Sequence, residues 1–152
     1  MRHTYLFYES EWVASGVYYN NAGTSVPFEG GSKITHQDLL WRLDSRITLC
    51  RPNTIEFTNT YEITPLVDGQ TETQFVSRNP SLGRFTGSLI FVEDTIFVCA
   101  HSEDHSQMVI ETNRKIDNNT YANHGVLLVG NVRMSSWTAR LSTEAQKLKL
   151  IK

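Results

Sequence analysis

The sequence predicts an all-β chain that folds as an antiparallel up-and-down β-barrel of about 8–10 strands. Three observations support this. Apolar and polar side chains alternate in short segments, so that Leu43, Ile47 and Leu49 fall on one face of a predicted strand and Arg42 and Asp44 on the other. The joints between segments are short and rich in turn residues. No long segment has the 3.6-residue period of an amphipathic helix.

The N-terminal part of the chain contains four predicted strands. The alternation runs through residues 12–20 and 24–34, which are joined by a turn ending at Gly23. Two further segments, 41–49 and 55–63, have the same rhythm and are separated by Pro52 and Asn53. Neighbouring segments of this kind are typical of β-hairpins.

The C-terminal part continues the pattern with six further segments. Its joints include residues 79–83, 102–104 and 117–119, all rich in Gly, Asn, Asp or Ser. Such short joints favour antiparallel neighbours, because parallel strands need crossovers of about a dozen residues or more. The six predicted strands are 71–77, 84–93, 95–101, 107–116, 121–133 and 136–142.

Two short segments compete for helix without changing the fold class. Residues 35–43 contain Asp38 ahead of an apolar run, which predicts a short capped turn. Residues 143–152 are rich in helix-forming side chains and are expected to form a short helix or a tail. At 152 residues, the whole chain, 1–152, is predicted to be a single β-barrel domain.

Composition and charge narrow the class of partner. The formal net charge is −2 and the basic residues are scattered, which argues against a nucleic-acid partner. Residues 1–8 are too short for the core of a signal peptide, and no run approaches the ~18 apolar residues of a membrane span. We therefore expect a cytoplasmic protein. No pattern indicates a cofactor or a zinc site, and Cys50 and Cys99 are expected to be buried free thiols.

Three predicted strands are apolar on both faces, whereas the strands of a simple barrel in water should have one polar face that is exposed to solvent. These segments are 89–92, 96–98 and 126–129. We expect their outer faces to be covered, either by the chain termini or by a second copy in a homodimer.

The first and last predicted strands resemble those of the calycin superfamily, the lipocalins and fatty-acid-binding-like barrels. Those families open with a glycine and a tryptophan on the first strand, and here Trp12 and Gly16 supply the same residue types in reverse order. Near the chain end, Arg140 follows Trp137 on the last strand. The resemblance implies that Trp12 packed under Arg140 closes one end of the barrel.

Aromatic residues recur at strand positions and predict a binding cavity. If the interior of the barrel is incompletely filled, these rings line an apolar pocket for a small hydrophobic or amphipathic molecule. Arginines are candidates to meet an anionic head group by paired hydrogen bonds. The predicted ligand-binding residues are Trp41, Phe57, Tyr61, Tyr121, Arg133 and Trp137. We expect binding without catalysis.

Two alternative functions stay open at this point. An isomerase or hydrolase on the same barrel would use His124 as a base, or a metal held by His101 and His105. A protein-interaction module that acts as a homo-oligomer would use the two-sided apolar strands as its interface.

Overall fold

The computed structural model describes residues 2–50, 53–67 and 69–143, and in it ten antiparallel strands close into one barrel. Each strand is hydrogen-bonded to the next along the chain, and the first strand pairs with the last. The prediction of an all-β, up-and-down barrel is confirmed. The strands are β1 (Ser10–Asn20), β2 (Ser25–His36), β3 (Trp41–Leu49), β4 (Ile55–Ile63), β5 (Glu72–Asn79), β6 (Gly83–Val92), β7 (Thr95–Ser102), β8 (Gln107–Asp117), β9 (Thr120–Val129) and β10 (Val132–Ser142).

Tight turns set the antiparallel order, and the turn between β5 and β6 shows how. The Asn79 side-chain oxygen accepts hydrogen bonds from the backbone N–H groups of Ser81 (2.7 Å) and Leu82 (3.1 Å). Gly83 then has a φ of 88°, a left-handed conformation that glycine adopts without strain. The side chain and the glycine together reverse the chain within three residues.

The barrel closes where β1 meets β10, with Gly16 opposite Ala139. A Cβ atom at Gly16 would run into the backbone of Thr138 and Ala139. Because only glycine permits this close approach, Gly16 marks the seam of the barrel.

The alternation read from the sequence gives the inner face of β3 and β4 correctly. Leu43 and Ile47 line the interior, whereas Arg42 and Asp44 point outward and form a salt bridge of 3.0 Å between Nε and Oδ2. On β4, Tyr61 and every second residue along the strand from it likewise face inward. In this part of the wall the apolar face is the buried face.

The short helix expected within residues 35–43 is not formed. The strand β2 continues to His36, which pairs with Trp41 at the start of β3, and the two rings stack with centroids 4.3 Å apart. Hairpin pairing across residues 37–40 replaces the capped turn. The predicted helix or tail at 143–152 lies outside the described residues apart from Thr143. In the part of the chain that the structure describes, no helix is long and apolar enough to cross a membrane.

Apolar side chains lie on the outer surface, both on the two-sided apolar segment 96–98 and on the neighbouring strand β8. Phe97 is 36% exposed and Ile110 37%, and the latter lies opposite Cys99 in the ladder between β7 and β8. Cys50 and Cys99 are free thiols, but both are exposed, so the expectation that they are buried is wrong. Cys99 alternates with the inward Val98 and therefore points outward. The homodimer remains a prediction.

Candidate functional site

One end of the barrel is closed by the segment before β1, which we call the floor segment (residues 3–7). Its residues Tyr5 and Leu6 are buried against the inward side chains of the strands. Leu6 has a φ of 75°, a backbone conformation that is uncommon for a side chain with a Cβ atom. The floor segment therefore turns sharply and inserts its apolar side chains into the barrel end.

A hydrogen-bond network centred on Tyr121 anchors the floor segment. His3 Nε2 lies 2.9 Å from the Glu93 carbonyl oxygen, which can only accept, so this nitrogen donates. In the neutral ring His3 Nδ1 is then the acceptor, and it receives the Tyr121 hydroxyl at 2.8 Å. The same hydroxyl accepts the Thr4 N–H at 3.1 Å. Burial lowers the pKa of His3, which favours this neutral ring.

The second anchor of the floor segment is on the β2–β3 hairpin. His36 Nε2 donates to the Leu6 carbonyl oxygen at 2.7 Å, and the backbone N–H of His36 donates to the Glu9 carboxylate at 3.0 Å. Phe7 packs edge-on against Trp41, with ring centroids 5.6 Å apart. These contacts hold both ends of the floor segment to the barrel.

Trp12 lies at the closed end, but its partner is not Arg140. Trp12 is 1% exposed and packs edge-on against Tyr5 and Tyr121, with centroids 5.2 and 5.7 Å away. Arg140 is exposed, because the neighbouring Ala139 and Leu141 are the residues of β10 that face inward. Trp12 and Arg140 lie on opposite faces of the sheet, and the floor segment takes the closing role that the resemblance assigned to the arginine.

Above the floor, the barrel encloses a cavity of about 370 Å³. Tyr5 and Leu6 form its base, and its wall extends to the exposed Leu82 in the β5–β6 turn at the opposite end. We call that opposite end the mouth. Most of the wall is apolar, and the volume falls within the range of about 300–1,000 Å³ that is usual for small-molecule sites.

Three of the predicted ligand-binding residues line this cavity, namely Phe57, Tyr61 and Trp137. Trp137 lies opposite Gly125 on β9, and a Cβ atom at Gly125 would collide with the indole ring. The glycine therefore lets the indole lie flat against the wall. Burial raises the pKa of Tyr61, so its hydroxyl stays protonated.

The other three predicted residues lie elsewhere. Tyr121 is fully buried beneath the cavity, where it anchors the floor segment. Trp41 lines a separate groove outside the floor segment, together with Phe7. Arg133 is exposed on β10, beside an irregularity in its pairing with β9.

Sequence reasoning missed the polar part of the wall, on β8 and β9. Glu111 faces the cavity, and its Oε1 atom accepts a hydrogen bond of 2.6 Å from Asn123 Nδ2. The same amide nitrogen lies 2.8 Å from Asn113 Oδ1. Glu111 is half-buried and faces the cavity rather than the outer surface. Burial raises the pKa of its carboxyl, and the hydrogen bonds from the two amides act in the opposite direction.

Arginine side chains do not form an anionic-head site of the kind expected. Arg42 and Arg84 pair with Asp44 and Glu103 on the outer surface. Among the described residues of the cavity wall, Arg46 is the one basic residue, and it is exposed. The interior of the barrel therefore holds a carboxyl group where a guanidinium was expected.

The histidines of the alternative functions lie outside the cavity. His124 is exposed on β9, where Asn123 and Gly125 alternate inward, so it does not face the cavity. His101 and His105 stack with ring centroids 4.2 Å apart near the mouth. Within residues 2–50, 53–67 and 69–143, no group of three or more His, Cys, Asp or Glu side chains is arranged to hold a metal ion.

Two solved structures share this fold at low sequence identity. The S-type phycobiliprotein lyase CPES of Guillardia theta superposes with a TM-score of 0.65 at 9% identity, over 90% of this chain and 88% of its own. Rv2717c of M. tuberculosis gives a TM-score of 0.68 at 10% identity, over 90% and 92% of the two chains. No family model and no curated protein matches the sequence. At these identities the comparisons establish a shared barrel fold and no family.

Proposed function

We propose that the protein reversibly binds a small hydrophobic or amphipathic molecule inside the barrel, without catalysis. The observation that carries this proposal is the unfilled interior. Protein cores are packed like organic crystals and contain few voids larger than a water molecule. A cavity of about 370 Å³, lined mostly by apolar side chains, is far larger than such a void.

The driving force follows from the composition of the wall. Each Å² of apolar ligand surface removed from water contributes about 25 cal/mol, so that an apolar body is held without specific contacts. Tyr61, Glu111 and Asn123 offer a few polar groups that orient the polar end of a guest. Aromatic rings such as Phe57 and Trp137 contribute large rigid contact surfaces.

The comparisons and the calycin resemblance support this proposal only through the fold. One of the similarly folded proteins is a phycobiliprotein lyase, but at 9% identity its activity does not transfer to this chain. Binding is therefore supported by the cavity and its wall.

A cavity-filling substitution tests the proposal. Ser45 lies midway along β3 and faces the cavity, so Ser45→Leu should reduce the space for a guest. The matched control is Thr58→Leu, which adds the same side chain on the exposed face of β4. We expect the neutral fluorophore N-phenyl-1-naphthylamine to bind the native protein and Thr58→Leu alike, and Ser45→Leu at least about tenfold more weakly.

Either of two results would contradict the proposal. No gain in fluorescence with the native chain would mean that the cavity takes no apolar guest. Alternatively, equal binding by native protein and folded Ser45→Leu would place the fluorophore outside the barrel. Circular dichroism of the variants establishes that they are folded.

A further inference from the structure

The cavity wall carries one carboxyl group in a largely apolar setting. Glu111 is centrally placed on β8, and its side chain faces the same space as Tyr61 and Tyr5. Burial is the main cause of the raised pKa of both tyrosine hydroxyls, and the negative charge of Glu111 raises it further, which places the three groups within electrostatic reach of each other. Glu111 is therefore part of the site rather than of the surface.

No basic side chain balances this carboxyl group in the described part of the chain. The three salt bridges there join Arg42 to Asp44, Arg78 to Glu62 and Arg84 to Glu103, and all six side chains are well exposed. The partners that stabilise the charged form of Glu111 are the amides of Asn123 and Asn113. Because placing a carboxylate in an apolar setting without a cation costs free energy, a cationic group on a guest in the cavity would stabilise the charged form of Glu111.

We propose that the barrel selects amphipathic molecules that carry a protonated amine, with the Glu111 carboxylate accepting the amine N–H and the apolar body lying against Phe57 and Trp137. This inference rests on the proposed function and adds the chemical class of the ligand. The amides of Asn113 and Asn123 position the carboxylate, since Asn123 holds its Oε1 atom at 2.6 Å. A charge-assisted hydrogen bond of this kind is stronger than one between neutral groups.

Three probes of equal chain length separate charge from apolar burial. Decylamine is cationic at pH 7.5, decanoate is anionic and decanol is neutral, and all three present the same apolar body. We expect isothermal titration calorimetry to rank their affinity for the native protein as decylamine, then decanol, then decanoate. The difference between the first two is expected to be about tenfold, which is typical for one charged hydrogen bond.

The matched pair of variants is Glu111→Gln and Glu29→Gln. Both remove one negative charge, but Glu29 is exposed on β2 and does not line the cavity. Glu111→Gln should weaken decylamine binding about tenfold, leave decanol within about twofold and strengthen decanoate binding. Glu29→Gln should change none of the three affinities.

The outcomes distinguish this inference from the proposed function. If the native protein binds decanol and decylamine equally, or if Glu111→Gln binds decylamine as tightly as the native chain, the amine selectivity is wrong while apolar binding stands. If none of the three probes binds the native protein, the proposed function fails as well. Selective loss of decylamine binding in Glu111→Gln alone supports both.

Discussion

The strand pair β3–β4 and the strand pair β8–β9 build opposite kinds of wall. On β3, apolar Leu43 and Ile47 face inward and Arg42 and Asp44 face outward. On β8, Glu111 faces inward, together with Asn113, whereas the outer face of the strand carries apolar side chains such as Ile110.

This difference separates the part of the wall that stabilises the fold from the part that we propose recognises the ligand. The first strand pair follows the rule that buries apolar surface, and it stabilises the barrel. The second places a carboxyl and two amides inside, which local patterning does not favour. Departures of this kind are expected at functional sites, where stability is exchanged for recognition.

Truncation of the inward apolar residues should have the largest effect. Leu43 is 7% exposed, and Leu43→Ala should lower the free energy of unfolding by about 2–5 kcal/mol through lost burial and the cavity left behind. Met108→Ala, on the outer face of β8 where Met108 is 46% exposed, should cost less than about 1 kcal/mol. Urea unfolding of both variants measures the contrast. Equal losses would mean that the two walls do not differ as described.

Removing the buried charge should stabilise the protein. Burial raises the pKa of Glu111, so the folded state binds a proton more readily than the unfolded chain, and its ionised form is unfavourable at neutral pH. Glu111→Gln should therefore raise the free energy of unfolding at pH 7, by about 1 kcal/mol. The gain should shrink as the pH falls through the raised pKa toward the ordinary carboxyl value, because the native carboxyl then becomes protonated. A loss of stability at pH 7 would show that the carboxylate supports the fold.

Acid should loosen the floor segment through His3. Burial lowers the pKa of His3, so the unfolded chain binds its proton more readily than the folded one, and stability falls as the pH drops below the ordinary value of about 6.5. Protonation also removes the nitrogen that accepts the Tyr121 hydroxyl. Thermal unfolding between pH 7.5 and 5 should show a smaller decline in His3→Gln than in the native protein. Parallel declines in the two proteins would remove His3 from the explanation.

A substitution on the outer apolar face should give the smallest change in the free energy of unfolding. The predicted homodimer would cover the outer faces of the segments 89–92, 96–98 and 126–129, where Phe97 is 36% exposed. Phe97→Lys should therefore shift the protein to a monomer while the free energy of unfolding changes by about 0.5 kcal/mol or less. Sedimentation velocity at several concentrations measures the state. A native protein that is already monomeric at the highest concentration would contradict the homodimer.

Much of the barrel can be predicted from the sequence, because the alternation of apolar and polar side chains and the residues that form turns are local features of the chain. The inner faces of β3 and β4 follow directly from the spacing of Leu43 and Tyr61. The strand count and antiparallel order follow from short joints such as residues 79–83.

The site is harder to predict, because it depends on which face of a strand lies inside when both faces carry apolar side chains. Residues 107–116 carry apolar side chains on both faces, so Glu111 gave no sign of being inside. The floor segment could not be foreseen either, since Tyr5 and Leu6 precede the first strand and only long-range contacts place them under the barrel.

Native mass spectrometry of the freshly purified protein tests the central claim most directly. A ligand-binding barrel should retain one small molecule per chain, or take up one decylamine when the probe is added, and release it on denaturation. Ser45→Leu, whose added side chain reduces the cavity, should retain less. A native protein that carries no small molecule after purification and binds none of decylamine, decanol and decanoate would contradict the claim that the barrel is a binding site.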